Sequence, residues 1–171
     1  MQFAKVRMIS FWIVLISTIF VMILAVPAAY ALAIRPMRKW RDVLFFFIST
    51  KFLPIVGAIM PIWIIARDLD LLNTRTILVV LYTAMNLPIM IWMVYSYFRD
   101  IPKDLVEAAN IDGASMGQTM MKVILPLATP GLASTCLLAL ILAWNESFWS
   151  ITMTNHSAAT LAVFIAPDCT T

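Results

Sequence analysis

Four stretches of the chain, residues 8–34, 43–66, 76–98 and 131–153, are apolar almost without interruption. A bilayer core demands about 17–25 such residues in helical form, so each stretch is long enough to cross it. Backbone N–H and C=O groups in hydrocarbon must be satisfied within the spanning structure, which leaves helices or a closed barrel. A barrel strand would show about ten residues of alternating hydrophobicity, a pattern absent from this chain. Four spanning helices are therefore predicted, kinked but not ended by Pro27, Pro54, Pro61 and Pro88. Residues 99–130 are too polar to span and too regularly patterned for a slack linker. Pro102 suits a first helical position, Leu105, Ala108 and Ala109 fall on one face, and Gly113 stands where a left-handed stop belongs, predicting a helix over 102–112. Ser115 and Gln118 have capping-box spacing and restart a helix through Met120, Met121 and Val123 to a break at Pro126.

Composition agrees with this pattern. Of 171 residues 63% are hydrophobic and 12% charged, far from the roughly 25% charged of a soluble domain. The picture is one all-α, polytopic membrane domain covering residues 1–171. The net charge of +3 comes from basic residues in loops, without the polar face and interleaved aromatics of a nucleic-acid surface. Their distribution orients the chain. Arg35, Arg38, Lys39, Arg41, Arg99, Lys103 and Lys122 lie on one side, and Lys5, Arg7, Arg67 and Arg75 on the other, which places the 35–42 and 99–130 loops in the cytoplasm. Lys5 and Arg7 before an apolar run ending in Ala29-Tyr30-Ala31 imitate a cleaved signal, but a signal core is about 7–15 residues long and this run exceeds that.

Chemistry-bearing residues are few. Cys136 and Cys169 flank a predicted span and are not expected to pair, and His156 has no second ligand at metal spacing. The four glycines, Gly57, Gly113, Gly117 and Gly131, form no phosphate-binding loop, so no nucleotide or other cofactor is assigned to this chain and no enzymatic activity is expected. Asn145 and Glu146 fall about two-thirds along the predicted fourth span, roughly 20 Å above its cytoplasmic end at about 1.5 Å per residue. A carboxylate at that depth must face a cavity or a partner, pointing to a translocation path or its outer gate, unless the depth is small enough for hydration. Lys51 is expected to snorkel, and Asn86-Leu87-Pro88 to serve packing. Trp63, Trp92, Trp144 and Trp149 read as packing or interfacial side chains rather than a sugar-stacking surface.

The order Glu107-Ala108-Ala109, Gly113 and Leu125-Pro126 closely resembles the EAA loop of permease subunits of ATP-binding-cassette (ABC) importers, with Val123 at the family's isoleucine position. Val26-Pro27-Ala28-Ala29-Tyr30-Ala31 and Ala143-Trp144-Asn145-Glu146 are similar to the maltose-type carbohydrate branch, and the likeness extends over about residues 8–166. It implies that Glu107, Ala108, Ala109, Asp112, Gly113, Leu125 and Pro126 dock a separate ATPase, which binds the ATP. It also implies a second permease subunit, an extracytoplasmic solute-binding protein, a carbohydrate or polyol substrate, and a multi-pass location in the inner membrane. Small residues suit such docking because they let a helix enter a groove closely. Family members usually have six spans, so the four seen here read as a truncated permease, with a non-functional fragment as one alternative. A secondary transporter or channel is the other, for which Glu146 and Lys51 are the only mid-span charges.

Overall fold

The computed structural model describes residues 2–34, 38–52, 55–154 and 160. Helices α1 (Gln2–Ala33), α2 (Trp40–Ser49), α3 (Ile55–Asp68), α4 (Arg75–Arg99), α5 (Lys103–Ile111), α6 (Met116–Thr119), α7 (Leu125–Trp144) and α8 (Phe148–Met153) follow in order, and no strand occurs among the described residues. Three helical stretches, Lys5–Ala33, Arg75–Arg99 and Met116–Trp144, are long and apolar enough to cross a membrane. A fourth crossing exists only as a bent pair, Trp40–Phe52 and Gly57–Asp68, which meet at 91°. Three of the four predicted crossings are thus present as single helices, the last of them with a different start, and the second predicted stretch takes the form of a sharply bent pair.

The second span is broken, with α2 ending in a 3-10 turn at Thr50–Phe52. The hydroxyl groups of Ser49 and Thr50 donate to the carbonyls of Phe45 and Phe47, the latter one of the last four acceptors of the helix. Pro54, expected to kink this span, lies outside the described residues, as do Arg35, His156 and Cys169. Pro27, Pro61 and Pro88 all lie inside continuous helices.

The last span begins well before Gly131, because α6 does not stop at Pro126. Residues Met120–Ile124 form a π turn that carries α6 into α7, and the Leu125 N–H donates to the Met120 carbonyl. A proline lacks the N–H of a regular helical bond, and its ring presses on the carbonyl four residues back. A wider turn immediately before Pro126 relieves that crowding, so the helix continues where the sequence predicts a break.

Helices α1, α4 and α7 form the packed centre. Thr83 on α4 donates to the Ser17 carbonyl on α1 across 66 residues of chain (3.4 Å), and the two helices run parallel. Helix α7 returns antiparallel to α4, with Gly131 against Tyr97 at one end and Glu146 bonded to Tyr82 at the other. Interfaces in lipid depend on close backbone approach rather than on hydrophobic exclusion. Accordingly Ala25, Ala29, Thr135, Ala139 and Ala143 are buried at the contacts. Bulkier Met90, Ile91, Val94 and Phe98 of α4 fill the space between them. The opposite face of α1, including Phe11, Ile19, Phe20 and Ile23, is exposed, as a lipid-facing surface would be.

Candidate functional site

The predicted loop helix is present as α5, beginning one residue later than expected because Pro102 adopts an extended ψ of 128° and acts as N-cap. Its stop is a Schellman motif. The Gly113 N–H donates to the Asn110 carbonyl (3.1 Å) and the Ala114 N–H to the Ala109 carbonyl (3.0 Å), with Gly113 at φ +75°. A residue with a Cβ is strained in that region, so glycine at 113 fits a backbone requirement. The chain restarts at once. The Ser115 N–H donates to Gln118 Oε1 (2.8 Å) and the Gln118 N–H to Ser115 Oγ (3.4 Å), completing the capping box read from sequence. Replacing Ser115 with alanine is expected to cost about 1 kcal/mol of local helix stability, read as faster amide hydrogen exchange over residues 116–119.

The C-terminal end of α5 is thus fixed by its Schellman stop and joined directly to the capped start of α6, yet none of the residues of α5 is buried. Its inner side touches the molecule through half-buried Val106, which packs with Ile101 against the core. Lys103, Val106, Glu107 and Asn110 line a cavity of about 260 Å³ with Phe98 and Arg99 of α4. Outward lie Leu105, Ile111, Met116 and Met121, of which Ile111 is 86% exposed. An apolar set left open on a loop marks an interaction surface.

Among the predicted docking residues, Glu107, Ala108, Asp112 and Gly113 are exposed and Ala109 is half-buried. Leu125 is half-buried and Pro126 exposed, both inside the continuous helix rather than at its break. Helix α5 packs against the π turn that immediately precedes them, which brings the two parts of the motif to the same end of the molecule.

Asn145 and Glu146 are not two-thirds along a helix. Because the span starts near Met116, it has already ended at Trp144, and Asn145 is its C-cap. The Asn145 amide donates to the Ile141 carbonyl (2.8 Å). The Glu146 carboxylate accepts from the Trp149 N–H (3.3 Å), and its carbonyl accepts from the Tyr82 hydroxyl (3.0 Å). Sequence reasoning missed Tyr82, since an aromatic inside an apolar run carries no local sign of a partner 64 residues away. The Asn73 N–H donates to the Met153 carbonyl (2.9 Å), and Ser150 shares a hydrogen bond with Thr160, so this end is tied across several segments. Lys51 lies in the 3-10 turn of the broken span, lining a cavity of about 230 Å³ with Pro88 and Trp149. Trp92 and Trp144 are exposed and Trp149 is buried, consistent with interfacial and packing roles.

Residues 6–166 match the family described as binding-protein-dependent transport system inner membrane component. The chain is 36% identical over 149 residues to the sulfoquinovosyl glycerol transport system permease protein SmoH of Agrobacterium fabrum, covering 87% of this chain and 52% of that protein. It is 34% identical over 160 residues to the trehalose transport system permease protein SugB of Mycobacterium tuberculosis, covering 94% and 58%. The trehalose/maltose transport system permease protein MalG of Thermococcus litoralis is 37% identical over 140 residues, covering 81% and 50%. The chain thus spans about half the length of these relatives. In structure it superposes on a chain of a bacterial ABC transporter involved in the import of the acidic polysaccharide alginate, with a TM-score of 0.81, 30% identity, and coverage of 95% of this chain and 57% of that one. Carried by nearly its whole length, the match means that this chain belongs to the family of binding-protein-dependent transport system inner membrane components.

Proposed function

We propose that this chain is the permease subunit of an ABC importer that moves a carbohydrate across the inner membrane, with α5 and its Schellman stop as the element that docks an ATPase. The carrying observation is the pair of back-to-back helix signals, Gly113 at φ +75° and the Ser115–Gln118 capping box, which hold a short helix with an exposed apolar side beyond the spans. A helix whose end is fixed to the next helix and which packs on the π turn of the last span transmits a push, whereas a loose loop would absorb it. Glu107, Ala108, Ala109, Asp112 and Gly113 form the docking side in this reading, with Leu125 and Pro126 where the span receives the motion. In this reading a second permease subunit completes the pathway, and an extracytoplasmic binding protein delivers the solute, the latter supported by the family description. Asn145 and Glu146 then lie at the outer end of the path, near the point of delivery.

Purification from native membranes under mild detergent tests the docking, and an ATPase subunit should come with the wild-type chain but be depleted with Glu107→Lys. Equal recovery with both chains would remove α5 from the contact. Topology has its own test. With Cys136 and Cys169 replaced by alanine, a Gly117→Cys side chain should resist a membrane-impermeant thiol reagent in intact cells while Leu69→Cys reacts. Both sites are exposed, so the opposite labelling pattern would invert the orientation and exclude α5 from the cytoplasm.

A further inference from the structure

At the end of the molecule opposite α5, the first residues of two spans, Lys5 and Arg75, both line one groove. Below them the groove is apolar, lined by Met8, Ile9, Trp12, Ile16 and Val79, with a volume of about 460 Å³. Two features define what it fits. The first is charge: two exposed cations line the same groove, and the one ion pair among the described residues is between Arg67 and Asp68, leaving Lys5 and Arg75 without a carboxylate within ion-pair distance among those residues. Like charges brought together repel unless an anion lies between them. The second is length. From Lys5 to Ile16 helix α1 rises about 16 Å at about 1.5 Å per residue, close to the roughly 15 Å of one leaflet in a hydrocarbon core of about 30 Å.

We infer that this groove is a binding site for an anionic phospholipid, with the phosphate held between Lys5 and Arg75 and one acyl chain lying along Met8, Trp12 and Ile16. The guanidinium of Arg75 suits a phosphate's paired oxygens, the Lys5 ammonium adds a point charge, and Trp12 is 55% exposed in the groove, where the chain would cover it. Zwitterionic lipid fits the apolar part equally well, so the headgroup charge is what the site selects. With α5 in the cytoplasm, the lipid belongs to the outer leaflet of the inner membrane.

Trp12 supplies the reporter. The full chain is reconstituted into phosphatidylcholine nanodiscs containing graded amounts of phosphatidylglycerol brominated on its acyl chains, and Trp12 emission is taken as the difference from a Trp12→Phe chain. Quenching should reach its midpoint at about thirtyfold less brominated phosphatidylglycerol than brominated phosphatidylcholine, the preference two basic side chains bring at an anionic surface. The Lys5→Gln, Arg75→Gln double variant should bring the two curves together, and Lys5→Arg should leave the preference in place. Coincident curves for the wild-type chain would overturn the assignment. Absence of quenching by either lipid would also overturn it, showing that protein fills the groove. The wild-type comparison decides the matter even where the double variant inserts poorly.

Discussion

Gly131→Val will lower the unfolding stability of the chain in mixed micelles by about 1–3 kcal/mol, the usual cost of forcing extra carbon atoms into a packed contact. The effect follows from one close approach. A Cβ at position 131 would overlap Cγ and Cδ1 of Tyr97, atoms near the root of the ring that move only if the side chain swings away or α4 and α7 separate. Ala133, two residues on and exposed, is the control, and Ala133→Val should be close to neutral. Combining Gly131→Val with Tyr97→Ala should cost less than the sum of the two single changes, since the second removes the obstacle to the first. Titration with a denaturing detergent, followed by helical circular dichroism, measures the wild-type chain and the four variants. Strict additivity would show that the glycine is not needed for this contact.

Gly113→Val will abolish coupled uptake in a complete transporter while leaving insertion intact. Open space surrounds a Cβ at 113, so the penalty is not steric crowding from neighbours but the φ of +75° itself, about 1–2 kcal/mol for a side chain in the left-handed region. That suffices to shift the Schellman stop by a factor of about 5–30 toward other conformations. Asparagine tolerates this region better than other non-glycine residues, so Gly113→Asn should retain an intermediate rate. Gly117, which also has open space but no positive φ, provides the comparison, and Gly117→Ala should transport at close to the wild-type rate. Solute uptake and ATP hydrolysis are measured together. Hydrolysis persisting without uptake is the expected signature of a docking helix that no longer holds its angle, and wild-type uptake by Gly113→Val would show that the stop's geometry is irrelevant to coupling.

Much of this molecule was legible because its signals are local. Crossing a bilayer depends on an apolar count over some twenty residues, and the runs beginning near Met8 and Thr76 became α1 and α4 almost unchanged. The stop at Gly113 and the restart at Ser115 depend on atoms within a few residues of one another, so they too could be read in advance. Pro126 is the instructive failure. Taken locally it ends a helix, but the π turn at Met120–Ile124 lets the helix pass, and fully buried Ile124 with Ala128 holds that stretch in the core. Packing decided between break and continuation. That decision moved Asn145 and Glu146 from mid-span to a helix end, because depth along a helix is counted from where the helix begins. The same holds for Gly131 beside Tyr97, Tyr82 on the Glu146 carbonyl, and Lys5 and Arg75 lining one groove. The length of an apolar run shows that a segment can cross a bilayer, but only the crossing of three helices decides which distant residue each side chain meets.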